Sequence, residues 1–208
     1  VSIDLANARA TLQWQGISVG VVALVASAAL VFANALTQGP IAEAEARDLQ
    51  ASLAQVLPAG FADNDLLKDT VELTDAGGAK KLVYLAKKNG SVAGAVFRNS
   101  ARGYSGDIVV LMGVDAEGRT LGVRVVKHTE TPGLGDKIEL PKAKWILSFD
   151  GKSLANLPVE KWAVKKDGGV FDQFAGATIT PRAVVKAVKG GLDFFAAHRG
   201  EILEGKSR

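Results

Sequence analysis

Two short segments concentrate residues able to hold a ligand. The first is Asp172-Gln-Phe-Ala-Gly-Ala-Thr178, followed at once by Ile179-Thr180-Pro181. Small residues at 175–177 allow close approach to the backbone. The helix N-terminus expected next carries unpaired N–H groups that favour an anion, phosphate in particular. The Thr178 hydroxyl therefore sits where a bound or attached phosphate is stabilised, although a capped helix after a tight turn has the same pattern. The second segment is His128-Thr-Glu-Thr-Pro-Gly-Leu-Gly-Asp136-Lys137, which packs backbone N–H groups and two hydroxyls into a compact loop. It lacks the GxGxxG spacing of a dinucleotide site and the GxxxxGK(S/T) of a P-loop, and its alternative is an ordinary connection. A third piece, Gly103-Tyr-Ser-Gly106, reads alone as a turn.

Composition narrows the chemistry. The 208 residues suffice for one medium domain and are too few for two large ones. With no cysteine, disulfides, Cys-ligated zinc, iron–sulfur clusters and c-type haem are excluded from this chain. Two histidines, His128 and His198, do not make a His-rich metal centre. Aromatics are only 6%, which argues against base-stacking platforms, and the lysine pairs at 80–81, 87–88 and 165–166 read as solvated surface. Charges nearly balance, 25 Lys+Arg against 22 Asp+Glu, but none lies between Arg9 and Glu43.

That uncharged stretch must position the rest. Gly16 to Leu36 forms an apolar run whose length as a helix matches the roughly 30 Å hydrocarbon layer of a bilayer. Trp14 suits the interface, and Ser18, Gly20, Ala26 and Ala29 permit close approach of a neighbouring helix. Ala-Asn-Ala at 33–35 resembles a signal cleavage site, but the run is longer than a signal core and its leader has no positive excess, Asp4 offsetting Arg9. The reading is a leader over 1–15, a transmembrane helix over 16–37, an amphipathic helical stalk over 38–60 opened by Pro40, and one α+β domain over 61–208. Flanking basic residues are tied, so loop charge does not orient the span.

In the domain, two β-rich runs surround Asn89-Gly90, and two more surround Asp115-Ala-Glu-Gly118. Four strands in consecutive hairpins predict an antiparallel sheet with flanking helices. Leu140 to Ser148 is expected to be a short helix with Trp145 and Leu147 facing the core. The last helix opens at Thr180-Pro181, with Thr180 as N-cap and Pro181 at the first helical position. Val184, Val185, Val188, Leu192 and Phe195 make its apolar stripe, Gly190-Gly191 is a point of kinking or interruption, and His198 is a C-terminal cation.

Taken together, GYSG at 103–106, HTETPGLGDKIEL at 128–140, WAVKKDGG at 162–169 and FDQFAGATITPRAVVKAV at 171–188 resemble one family over nearly the whole chain. The chain is similar to the G subunit of the Rnf (or Rsx) ion-translocating electron-transport complex, within the FMN-binding domain family. A looser likeness is to the C subunit of sodium-pumping NADH:quinone reductase. The resemblance implies FMN joined through its phosphate to a threonine by a dedicated flavin transferase, in a motif Asp-x-x-(Ser/Thr)-Gly-Ala-Thr. Carried over, Thr178 is the acceptor, Gly176 and Ala177 precede it, Asp172 is the acidic position, and Thr180 is the competing hydroxyl. Ala175 departs from the usual Ser or Thr. Glu130, Thr131, Gly133, Leu134 and Gly135 are implied to wrap the flavin, with Tyr104 and Ser105 at its border; His128 faces either flavin or solvent.

The resemblance further implies a flavoprotein electron carrier without stand-alone turnover, in a complex coupling ferredoxin and NAD to Na+ or H+ transport. Its implied partners are other membrane and iron–sulfur subunits and membrane lipid, with no nucleic acid. Its place is the bacterial inner membrane, single-pass, with the flavin domain periplasmic. Two other classes compete: a cofactor-free anchored assembly or binding module, and a flavoenzyme acting on a soluble substrate.

Overall fold

The computed structural model describes residues 12–205; of the leader expected at 1–15, residues 1–11 lie outside them. A single helix, α1, runs from Leu12 to Gln55. Within it, Trp14–Gly39 is long and apolar enough to cross a membrane, about 39 Å at about 1.5 Å of rise per residue. Its side chains there are unburied by the rest of the chain, as a single-pass anchor requires. Pro40 does not open a separate stalk helix, because the backbone stays helical across it. Proline removes one i→i−4 bond, and the Ala-, Leu- and Glu-rich turns that follow carry the helix onward to Gln55. The chain divides into two compact units, one ending at Asp48 and the other beginning at Leu49.

The second unit is built on five strands: β1 (Thr70–Thr74), β2 (Lys80–Lys88), β3 (Ser91–Arg102), β4 (Asp107–Asp115) and β5 (Thr120–Lys127). They lie in sequence order and every neighbouring pair is antiparallel. The two expected hairpins are present. Asn89 and Gly90 both have positive φ, 51° and 79°, the geometry that the tight β2–β3 turn demands. The sheet also has a further strand, β1, beyond the four that the sequence predicts. Its Val71 and Leu73 are buried while Thr70, Glu72 and Thr74 are exposed, so only two apolar residues mark it.

One sheet face packs against α2, the helix Ile179–Glu204, and the core includes Val83, Phe97, Met112, Val184, Val188, Leu192 and Phe195. Gly190-Gly191 does not interrupt α2. A Cβ at Gly191 would overlap Met112 Sδ, so this glycine lets helix and sheet approach. His198 lies inside α2 rather than in its last turn; its Nδ1–H donates to the Phe194 carbonyl (3.0 Å). The other sheet face is covered by the end of α1, where Leu53 and Val56 pack on Tyr84, Val96 and Leu111.

Between β5 and α2 the chain forms short 3-10 turns, at Asp136–Ile138, Lys144–Phe149, Val159–Lys161 and Lys165–Asp167, and two isolated bridges, Val164 with Phe171 and Phe174 with Ala177. This segment is pinned by aromatics: Phe149 stacks on Phe171 at 4.5 Å, and Trp145 meets Phe149 and Phe174 edge-on at 5.4 and 5.2 Å. The short helix expected at 140–148 is the Lys144–Phe149 turn, and its fully buried residues are Ile146 and Phe149. Trp145 and Leu147 are half-buried and pack against the core from its rim.

Gly113 fixes how closely α1 ends against the sheet, since an added Cβ would overlap the Val56 carbonyl oxygen, a backbone atom. Gly113→Ala is expected to lower unfolding free energy by about 1–3 kcal/mol, measured by urea denaturation of the detergent-solubilised chain.

Candidate functional site

The site begins with a carboxylate. Glu130 is 5% exposed, and a buried carboxylate is stable only when its oxygens are engaged. One oxygen accepts the Ser105 backbone N–H (3.0 Å), and the other accepts the hydroxyl proton of Thr180. Glu130's own N–H donates to His128 Nδ1 (3.1 Å). That leaves Nε2 to donate to Glu139 at 2.8 Å. His128 therefore faces neither solvent alone nor the cleft; it holds the loop carrying Glu130.

Glycines make room for this brace. A Cβ at Gly103 would fall 2.6 Å from a Glu130 carboxylate oxygen, and one at Gly135 would fall 2.8 Å from Glu130 Cβ and 2.9 Å from Thr180 Oγ. The loop itself turns at Gly133, with φ 79°, while the Thr131 carbonyl accepts N–H groups from Leu134 (3.2 Å) and Gly135 (3.0 Å). The Asp136 carboxyl lies below its ordinary range, chiefly because it accepts the Gly133 backbone N–H, with the Lys142 ammonium 3.6 Å away adding to the effect.

Across from this loop, Ala177 N–H closes a turn onto the Phe174 carbonyl (3.2 Å), with Gly176 at φ 79°. The chain then enters α2 with Thr178 as N-cap. Thr180 is not the cap expected from the Thr-Pro pair. It is 1% exposed in the first turn, and its hydroxyl is taken by Glu130. Pro181 lies in the same first turn, where a missing N–H breaks no helical bond. The Thr178 side chain makes no capping hydrogen bond and is partly exposed, so its hydroxyl is the accessible one.

These elements enclose a cleft of about 490 Å³. From the two glycine-containing loops come Tyr104, Glu130, Thr131, Leu134 and Gly135; from the α2 entry come Gly176, Ala177, Thr178, Ile179 and Thr180. Nine of these ten are residues that the sequence motifs single out. Ile179 is the exception, because an apolar residue at a helix start reads as core, whereas it is 46% exposed and faces the cleft. Tyr104 and Leu134 are likewise exposed apolar surfaces, at 68% and 45%.

Three expected residues do not line the cleft. Ser105 serves through its backbone bond to Glu130, Gly133 through its turn, and Asp172 pairs with Lys165 (2.6 Å) while its carbonyl accepts Trp145 Nε1–H (2.8 Å). The WAVKKDGG segment is tied to α2 by Arg182, whose Nε and Nη2 donate to the two Asp167 oxygens at 2.6 Å each. No group of three metal-ligating acids or histidines occurs among the described residues. An open cleft with apolar walls and free hydroxyls suits a flat aromatic ligand, and the helix start adds a weak site for an attached anion.

Comparison with known proteins agrees with this reading. The FMN-binding domain family matches residues 103–193, a span that begins with the GYSG turn and ends in α2. The chain is 51% identical over 188 residues to the G subunit of the ion-translocating oxidoreductase complex of Cereibacter sphaeroides, covering 90% of this chain and 86% of that protein. Identity to the same subunit of Stutzerimonas stutzeri is 50% over 188 residues (90% and 82% covered), and to that of Pseudomonas aeruginosa 45% over 206 (97% and 96%). Among solved structures, Shewanella oneidensis NqrC aligns with a TM-score of 0.48 at 23% identity, covering 69% of this chain and 72% of that one.

Two outcomes follow from the brace. Glu130→Gln replaces an anion that accepts two hydrogen bonds by an amide that must turn a donor toward one of them. It is expected to cost about 1–3 kcal/mol of stability in urea unfolding. For Asp136 the folded carboxyl lies below its usual 3.8, so its contribution is complete above that pH and is lost as pH falls further through the folded value. Hydrogen-exchange protection of the Gly133 amide should therefore persist at about pH 5 and fall only below about 3.8, with Asp136→Asn weakening it at about pH 5 and the difference closing at low pH.

Proposed function

The chain belongs to the family of G subunits of ion-translocating oxidoreductase complexes, and from that premise we propose that it is a membrane-anchored flavoprotein electron carrier. In this reading FMN is esterified through its phosphate to Thr178. The observation that carries it is the pairing of two hydroxyls at the α2 entry: Thr180 is buried and donated to Glu130, whereas Thr178 is uncommitted and opens on the cleft.

FMN supplies reversible electron transfer when attached. The chain's own residues hold and shield it. Tyr104, Leu134 and Ile179 offer apolar faces for the ring system, and Thr131 offers a hydroxyl. The ester retains one negative charge, which the start of α2 offsets. Glu130 does not meet the ligand as a free base, because both oxygens are occupied; it keeps the two walls in register. Electron transfer needs no nucleophile or general base beyond this, and none is assigned.

The partners in this reading are other membrane subunits and iron–sulfur subunits, since this chain has no cysteine with which to ligate a cluster. A flavin transferase would form the ester. The helix Trp14–Gly39 would place the chain in the bacterial inner membrane, with the flavin domain on the periplasmic side, within a complex that couples ferredoxin and NAD to Na+ or H+ movement.

The test is a denaturing gel of chain co-expressed with the transferase and viewed under ultraviolet light. A fluorescent band at 21.7 kDa is expected for the native sequence and complete loss for Thr178→Ala. Mass mapping of peptides from 171–182 should place the added flavin mononucleotide on Thr178. A dark native band overturns the reading and leaves a cofactor-free anchored module.

A further inference from the structure

The cleft that would receive FMN has no cation to receive its phosphate. Among the ten lining residues the one charged group is Glu130, an anion. Three cations in the segments that frame the cleft are already engaged. Lys165 pairs with Asp172 (2.6 Å), Lys142 approaches Asp136 (3.6 Å), and Arg182 spends two donors on Asp167. Lys137 and Lys166 are exposed outside the lining. The helix start is also poorer than usual, because Pro181 removes one of its N–H groups and leaves those of Ile179 and Thr180 in the first turn. Sites that hold a dianionic phosphate tightly without a covalent bond commonly add Arg or Lys in charge-assisted hydrogen bonds. A helix start alone supplies about fivefold in affinity at most when exposed.

The apolar walls are placed differently. Tyr104, Leu134 and Ile179 line the cleft and are exposed there, which suits a tricyclic ring rather than a charged group. We infer that, given the flavin reading above, the cleft recognises the isoalloxazine and ribityl portions and leaves the phosphate unrecognised. The choice of FMN over riboflavin is then made by the ester bond at Thr178 and not by non-covalent affinity. The ester both identifies the cofactor and retains it.

The test uses the full-length chain made in cells without the transferase, held in detergent, and titrated with riboflavin and with FMN while flavin fluorescence is followed. The two dissociation constants are expected to lie within about fivefold of each other. Leu134→Asp should weaken both ligands by a common factor of about ten. Ile179→Lys places an ammonium at the first helical position on the cleft, and should raise the preference for FMN by about tenfold or more. A native preference for FMN above about fivefold overturns the inference, as does an unchanged preference in Ile179→Lys. Failure of both flavins to bind below about 1 mM overturns it as well. The gel band at Thr178 reads the covalent bond by itself, so the two readings fail separately.

Discussion

The site depends on one buried anion. Glu130 sits at 5% exposure with both oxygens engaged, one by the Ser105 backbone and one by the Thr180 hydroxyl. Those partners lie 25 and 50 residues away in the chain. A carboxylate in this position costs several kcal/mol unless every oxygen finds a donor, so the three segments are obliged to meet. Gly103 and Gly135 are small because the carboxylate and its stem fill the space a side chain would take. His128 completes the arrangement by accepting the Glu130 N–H at Nδ1 and donating its Nε2–H to Glu139.

The depth and direction of α2 decide where the cleft opens. Gly191 lets the helix settle on Met112, and Asn99 on β3 donates its amide to the Ala187 carbonyl at 2.7 Å, fixing the helix along its axis. At the helix start, the paired hydrogen bonds between Arg182 and Asp167 tie the preceding loop to the first turn. The ion pair is exposed, so its energetic value is modest; its use is to orient the entry. The aromatic cluster of Phe149, Phe171, Phe174 and Trp145 then anchors the chain just before Thr178. A partly exposed hydroxyl is thus held on a rigid base.

What was legible in the sequence was local. Asn89-Gly90 announced its hairpin because positive φ at two successive residues has few other uses. The apolar run at 16–36 announced a span, and the small residues before Thr178 announced a tight helix entry. The errors came from distant partners. Thr180-Pro181 has the form of a cap, but the Thr180 hydroxyl is claimed by Glu130, 50 residues upstream. Gly190-Gly191 has the form of a break, yet Gly191 is explained by Met112 on another element. Asp172 has the form of a site acid, while its charge is taken by Lys165. β1 carries only two buried apolar residues, too few for a pattern. Ile179 faces outward from a position where apolar residues usually face in.

The strand order adds a consequence for how the molecule assembles. Each strand pairs only with its neighbours in sequence, so the meander can form from short-range contacts. The cleft cannot. It exists only after α2 docks and a hydroxyl from the last quarter of the chain reaches Glu130. Strand pairing therefore rests on short loops, and the pocket on one long loop closure. Damage to the docking of α2 would reach past the cleft, because the same helix face covers the sheet residues Val83, Phe97 and Met112.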